Sequence, residues 1–437
     1  MKCHLLTLGC PKNIVDSEYL RWGLKSHGIT FVADSKNADI LIINTCAFIL
    51  SAREEAIDAI LEAVRLKESG RCRYVYVTGC LPQKYKEELQ KELPEVDGFY
   101  DQIDFNEIVS EMSREFDLSG RITPGRELIT PGHYAYLKIA EGCDNRCTYC
   151  TIPSIKGIFS SRNEDFLVEE AERLSQSGVR ELILIAQDIT YYGKDAAGDV
   201  KLSGLITRLS RINDIKWIRL LYAHPAHLED ELIDTMRDNE KVCKYIDIPM
   251  QHVSDRILKR MGRDTTGRHI RDLIEKMRST IPGLAIRTTL MVGFPGETEA
   301  DFHELQQFVS DTRFERLGVF KYSNEDDTPA AKLKDHLDES VKEDRFQQLM
   351  QIQRTISYEE NLNLVGEEMR VLIDGFEEEE NTYSGRTEWD APEIDNRVLI
   401  RDNVDPGGFY DVRIIDADEY DLIGEREGTN IHSTMEG

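Results

Sequence analysis

Three cysteines fall within eight residues of this 437-residue chain, in the run Cys143-Asp-Asn-Arg-Cys147-Thr-Tyr-Cys150. Thiolates are soft ligands, and a Cys-x3-Cys-x2-Cys spacing offers three of them to one iron–sulfur cluster, whose irons ask for four. One iron is then open to something that is not protein. A closed zinc site wants a fourth Cys or His at short range, and after Cys150 the next cysteine is Cys243. The alternative is three cysteines packed as small apolar groups, against which stands the polar Asp144-Asn145-Arg146 between the first two.

A second trio is spread out. Cys10, Cys46 and Cys80, in Leu-Gly-Cys-Pro, Asn-Thr-Cys-Ala and Thr-Gly-Cys-Leu, are 36 and 34 residues apart. Each follows an apolar run that reads as a buried strand, at residues 4–8, 40–44 and 74–78. Open α/β sheets bind ligands beyond the carboxyl ends of their strands, so the three thiols could converge there on a second metal. Packed core cysteines are the competing explanation, though they have little reason to recur at equivalent strand ends. Cys3, Cys72 and Cys243 lack a partner at useful spacing and read as core or surface thiols. His224 and His227 flank Pro225 and read as a loop pair rather than as metal ligands.

The elements that must position these residues follow from the apolar pattern. Helical stretches at 15–27 and 52–67 separate the first three strands, and the Pro- and Gly-containing segment 123–132 closes a first domain, residues 1–130. From Tyr134 the strand–helix rhythm resumes, with strands expected at 135–139, 181–186, 217–221, 245–248, 285–291 and 316–322. Six such strands suit an open, partial (βα)6 barrel over residues 131–360, with the cysteine triplet in the loop after the first strand, where such folds carry their chemistry. Residues 335–362 read as a connecting helix. Short strands at 369–373, 397–400 and 410–416 then predict a small antiparallel β-barrel over residues 361–437, with Glu377–380 as an acidic loop. The expected fold is therefore α/β with an appended β-barrel.

Other candidates at strand ends are less specific. Tyr149 can offer an aromatic face to a base. Gln187-Asp188 and Gln251-His252 stand where a ligand could be held, although a hydrogen-bonded structural histidine equally explains His252. Met291-Val-Gly293-Phe-Pro-Gly296-Glu297 has glycines where backbone must approach a ligand closely, or simply turn tightly.

Composition bounds the partners. Apolar residues are 40% and charged residues 31% of the chain, and no apolar run approaches the roughly 20 residues of a membrane span. The N-terminus reads as a short strand rather than a signal peptide, so a cytoplasmic protein with ligand or core cysteines is expected. The net charge is −27, and residues 361–437 hold 21 Asp and Glu against six Arg and no Lys, a net of −15. Such a surface repels a phosphate backbone and attracts a basic partner, or is simply a solvated face.

Together these features resemble the radical S-adenosylmethionine (SAM) methylthiotransferases, essentially over the full length. That family joins a three-cysteine N-terminal domain, a radical SAM barrel and a C-terminal, OB-like TRAM domain. Within it, Leu-Gly-Cys10-Pro-Lys-Asn-Ile-Val-Asp16-Ser-Glu, Asn-Thr-Cys46-Ala-Phe-Ile, Tyr-Leu-Lys-Ile-Ala-Glu-Gly-Cys143, Cys150-Thr-Ile-Pro-Ser-Ile-Lys-Gly157 and Gly385-Arg-Thr-Glu-Trp-Asp390-Ala-Pro-Glu-Ile-Asp395 resemble the branch acting on an aspartate of small-subunit ribosomal protein S-twelve. The tRNA-modifying branch typically differs at the first, second and last of these.

The resemblance implies two [4Fe–4S] clusters, one on Cys143, Cys147 and Cys150 and one on Cys10, Cys46 and Cys80. SAM would serve as radical source at the first and as methyl donor to a sulfur held on the second. Tyr149, Gln187, Gln251 and Gly293 are the candidate SAM contacts; no catalytic side chain is singled out. The implied partners are a basic ribosomal protein bound partly by the acidic TRAM domain, an electron donor and a sulfur donor, with neither a membrane nor a nucleic acid as direct substrate. The competing expectations are a tRNA methylthiotransferase, which would bind tRNA in a salt-sensitive way, and a non-catalytic iron–sulfur carrier, which would ligate its irons fully with protein.

Overall fold

Three bodies of secondary structure follow one another in the computed structural model, which describes residues 1–101, 105–118, 120, 124–195 and 201–426, with backbone alone for 105–107. The start of the boundary segment at 123 and the end of the third expected domain, 427–437, lie outside the described residues.

The first body is a parallel sheet. Its strands are β1 (Lys2–Thr7), β2 (Thr30–Phe31), β3 (Ile40–Thr45), β4 (Tyr74–Gly79) and β5 (Gly98–Tyr100), in the order β2-β1-β3-β4-β5. β3 is buried at every position, as a central parallel strand covered on both faces must be. The connecting helices are α1 (Pro11–Ser26), α2 (Leu50–Glu68), α3 (Cys80–Glu92) and α4 (Phe105–Glu115). The sequence pattern missed the short edge strands β2 and β5 and gave no helix for α3 or α4. α1 has a proline at its first helical position, where the missing N–H has no intrahelical role.

The second body carries β6 (Tyr134–Lys138), the two-residue strands β7 (Ala140–Glu141) and β8 (Ser160–Ser161) with α5 (Ile152–Lys156) between them, and α6 (Glu164–Gln176). It continues through β9 (Glu181–Ile185), α7 (Leu202–Leu209), β10 (Trp217–Leu220), α8 (Asp230–Asp238) and β11 (Val242–Asp247). α9 (Asp255–Arg260), α10 (Gly267–Thr280), β12 (Ala285–Val292), α11 (Glu299–Thr312) and β13 (Arg316–Lys321) complete it. Six strands pair in parallel in the order β13-β12-β11-β10-β9-β6, an open partial barrel. Its outer core is a continuous cluster that includes Leu137, Leu184, Leu220, Ile246 and Leu290. Inside, Tyr134, Tyr136, Ile183, Trp217 and Tyr245 pack with Leu372 and Ala391 of the third body and Val15 of α1.

α12 (Glu339–Leu362) leads to β14 (Glu368–Glu377), β15 (Thr382–Arg386), β16 (Val398–Ile400), β17 (Phe409–Ala417) and β18 (Leu422–Arg426), a closed five-stranded barrel. Four of its pairings are antiparallel, but β16 and β18 run parallel. A barrel lined by Val371, Ile373, Val398, Val412 and Ile414 caps one end of the six-stranded sheet through charged pairs. Buried Glu181 at the start of β9 binds Arg219 at 2.6 Å and Arg386 at 2.8 Å, and Arg386 also reaches Asp374 at 2.7 Å. Arg316 pairs with Asp390 at 2.6 Å, and Arg287 with Asp395 at 3.2 Å. No helix among the described residues is long and apolar enough to cross a membrane.

Candidate functional site

Each residue of the dispersed trio sits where a strand gives way to a helix. Cys10 caps α1, Cys46 follows β3 directly, and Cys80 opens α3. Asn13 ties the turns together: its amide donates to Leu8 O at 2.8 Å and to Thr45 O at 3.0 Å. Asn44 donates to Asn13 O and Ser17 Oγ, both at 2.9 Å, and Thr45 Oγ1 donates to Thr78 O at 2.7 Å. Gly79 brings β4 against β3. Its φ is +101°, and a Cβ there would lie 2.4 Å from Thr45 O, which no side chain tolerates. Burial pushes the Cys80 thiol up to about 12; Lys156 pulls against it, while the neighbouring Cys10 and Cys46 thiols push it further. Cys46 is raised by burial and by Cys10 as well.

The compact trio lies in the loop after β7. Thr148 N donates to Met261 O at 2.8 Å and Thr148 Oγ1 to Arg260 O at 2.8 Å, so the loop is held from the carboxyl end of α9. Asp144 accepts from Phe159 N at 2.9 Å, and Asn145 donates to Asp188 at 2.9 Å. Arg263 points its guanidinium at Cys147 Sγ, 3.7 Å away, and donates to Pro249 O at 2.6 Å. Burial raises the Cys150 thiol to about 12, with Cys147 and Cys143 adding to it.

The two trios are neighbours across the boundary between the first two bodies. Thr151, next to Cys150, donates to Phe48 O, two residues past Cys46, at 3.0 Å. Lys156 at the end of α5 lies within electrostatic reach of Cys80. Between them Lys138 bridges Asp16 of α1 and Glu141. Burial would raise Glu141, but Lys138 and Lys156 outweigh it and hold its carboxyl at about 2.

The remaining candidates fare differently. Tyr149 packs edge-on against Phe294, ring centroids 6.4 Å apart, and burial, with the Cys147 and Cys150 thiols adding to it against Arg263, pushes its hydroxyl well above the usual phenol range. Gln187 donates to Glu141 at 2.8 Å. Gln251 lies four residues past β11 with φ +70°, and its carbonyl accepts from Met291 N of β12 at 2.7 Å; its side-chain amide makes no hydrogen bond among the described residues. Gly293 (φ +74°) lies where a Cβ would meet Lys342 Cγ at 2.4 Å, so α12 presses directly on this turn. His252 is fully buried, with Nδ1 accepting from Val253 N and Ser254 N and Nε2 without a hydrogen-bond partner among the described residues. His224 and His227 lie in a loop after β10, as expected, where with Asp188 their ligand atoms come within 4.8 Å of one another and His227 contacts Asp188 at 2.7 Å. Burial, reinforced by Arg263, lowers His224 to about 3. Sequence reasoning also passed over Lys12, Asn145 and Arg263; the first two stand within two residues of a cysteine already under scrutiny, which was the available signal.

Three free thiols on one loop fit a cluster with an open iron, and the soft donor set of each trio suits iron–sulfur chemistry. A parallel six-stranded partial barrel with that loop after its first strand defines a radical SAM enzyme. Residues 137–309 match the radical SAM superfamily, residues 2–101 the uncharacterized protein family UPF0004 and residues 365–426 the TRAM domain. A radical S-adenosylmethionine methyltransferase, TsrM from Kitasatospora setae, shares the fold at a TM-score of 0.53 and 14% identity, over 75% of this chain and 76% of that one. Proteins described as ribosomal protein uS12 methylthiotransferase RimO are far closer in sequence. That of Geotalea uraniireducens (strain Rf4) is 48% identical over 97% of this chain and 98% of its own length. That of Trichlorobacter lovleyi is 46% identical over the same shares, 97% and 98%. The chain belongs to the RimO family of radical SAM methylthiotransferases.

Proposed function

We propose that this chain adds a methylthio group to the β-carbon of an aspartate in ribosomal protein uS12, using two [4Fe–4S] clusters and SAM. Cys143, Cys147 and Cys150 would hold one cluster, and Cys10, Cys46 and Cys80 the other. The observation that carries this reading is the adjacency of two three-cysteine sets, joined by Thr151 to Phe48 O at 3.0 Å and by Lys156 beside Cys80. The bound groups would supply a 5′-deoxyadenosyl radical able to take an unactivated hydrogen, together with a methylated sulfur to replace it.

The protein's own part is placement. Tyr149, Gln187, Gln251 and Gly293 ring the carboxyl ends of the strands and would hold SAM. Arg263 would steady Cys147, and Asp188 would steady the loop through Asn145. The third body retains exposed carboxylates, among them Glu367, Glu368, Glu378, Asp411, Asp416 and Glu425, which suit a basic ribosomal protein. An electron donor and a sulfur donor would come from outside the chain, and a ribosomal target places the work in the cytoplasm.

The test is iron and sulfide content of anaerobically prepared protein, paired with mass spectrometry of uS12. About eight irons per chain are expected, falling to about four when either trio is replaced by alanine. Cells lacking the chain should yield uS12 without the methylthio group. An unmodified iron count in either triple variant, or a methylthiolated uS12 in those cells, would refute the reading.

A further inference from the structure

Lys12 is a buried lysine with no carboxylate within salt-bridge distance among the described residues. It stands in the first turn of α1, two residues past Cys10, and is 7% exposed. Its ammonium has three donors. One reaches the carbonyl of Ala186, just past β9, at 3.2 Å. The group also lies over the ring of Tyr222, just past β10, 3.5 Å from the centroid.

The charged groups around it are all engaged elsewhere. Glu141 is held by Lys138 at 2.6 Å and by Gln187 at 2.8 Å. Asp247 is held by Arg287 at 2.8 Å and accepts from Tyr222 N at 3.0 Å. Lys156 pairs with Glu141 at 3.6 Å, and the Cys10 thiol belongs to the dispersed trio. Tyr222 itself is held with φ +67°, a conformation a bulky side chain adopts only when its surroundings impose it. A strained aromatic platform thus supports a lone ammonium at the carboxyl ends of β9 and β10, on the edge where α/β barrels bind substrate. Buried charges are ordinarily paired, and an unpaired one beside a binding edge points to a ligand of opposite sign.

We infer that Lys12 is the anchor for the side-chain carboxylate of the substrate aspartate. The inference rests on the reading of an aspartate as substrate, and it deepens that reading by naming the group that tells aspartate from its uncharged isostere. The ammonium would hold the carboxylate while leaving the adjacent β-carbon facing the space between the two cysteine trios. A site built to bind a charged group rejects the analogue lacking it, because its own buried charge is then left unpaired.

The experiment compares two versions of recombinant uS12, one with its target aspartate and one with asparagine there, as substrates for the full-length reconstituted enzyme. Wild type is expected to favour the aspartate protein. In Lys12→Met that preference should shrink by about tenfold or more, the scale of a hydrogen bond to a charged group. Lys12→Arg, which keeps the charge without opening a hole, should keep most of the preference. Iron content measured on the same samples reports an intact site. Lys12→Met slowing both substrates equally, or Lys12→Arg losing the preference as completely as methionine does, would overturn the assignment of Lys12 while leaving the aspartate reading intact. Wild type modifying neither protein would overturn both.

Discussion

At the scale of single residues, position along the strands and not burial separates the six cysteines from the other three. Cys3, Cys72 and Cys243 are buried, as Cys46 and Cys80 are, but Cys3 and Cys243 lie inside β1 and β11 and Cys72 lies ahead of β4, none past a carboxyl end. Replacing Cys243 with alanine is therefore expected to leave the iron content unchanged, whereas Cys150→Ala should remove about four irons; elemental analysis separates the two. The cysteines were legible in the sequence because their spacing and strand-end contexts are local. The contacts that hold them were not. Asn145 meets Asp188 across 43 residues, Arg263 meets Cys147 across 116, and Lys12 meets Ala186 across 174. No periodicity encodes such pairings, which exist only once separate loops are brought to one sheet edge. His252 adds a local pairing that no pattern shows: its Nδ1 accepts two backbone hydrogen bonds, while its buried Nε2 has no hydrogen-bond partner among the described residues.

Among elements, the long apolar strands were read to within a few residues, and of the strands in the first two bodies only short ones escaped, together with the helices α3 and α4. β2, β5, β7 and β8 have two or three residues each, below the length at which a pattern can be distinguished from loop. In the third body β15 and β18 were missed for another reason: Thr382–Arg386 and Leu422–Arg426 mix glycine with charge, and closure of the barrel rather than propensity makes them strands. The turn from β4 into α3 is the element-scale weak point. Gly79→Ala forces a left-handed alanine against Thr45 O and is expected to cost about 1–3 kcal/mol of stability. Because Cys80 follows immediately, the same variant should bind less iron at the dispersed trio while the compact trio keeps its own. A thermal melt and an iron assay would check both parts, and an unchanged iron content would refute the coupling.

On the scale of the whole molecule, the acidic third body turns out to have two faces. Charge counting saw one surface of −15, but Asp374, Asp390 and Asp395 face inward to Arg386, Arg316 and Arg287. Glu181 is the keystone of this junction, since it joins Arg219 to Arg386. Glu181→Gln leaves the buried Arg219 guanidinium short of charge, while Arg386 keeps Asp374, and is expected to destabilise the fold by about 3–5 kcal/mol, read by denaturant unfolding. Acid should act at the same place. Burial would raise Glu181 and Asp374, but their arginines outweigh it and hold both below the usual carboxylate range. A lowered carboxylate contributes fully above the unfolded value of about 4, and its contribution is lost as pH falls through the folded value. Stability should thus drop steeply below about pH 4 in the wild type and less steeply in Glu181→Gln.

α12 gives the arrangement a length scale. Near its start Lys342 presses on Gly293 and donates to Tyr322 O, and Arg345 grips Glu297 at 2.6 Å. Near its end Ser357 and Asn361 donate to Glu419 O and Asp418 O in the turn between β17 and β18. Its 24 residues make an uninterrupted rod on the order of 36 Å long. A rod tied at both ends is a ruler. It fixes the separation between the turn joining β17 to β18 and the mouth of the six-stranded barrel. If the third body holds the proposed ribosomal target, that target would have to be broad enough to reach from one end of the rod to the other, which a folded protein could do and a short peptide could not.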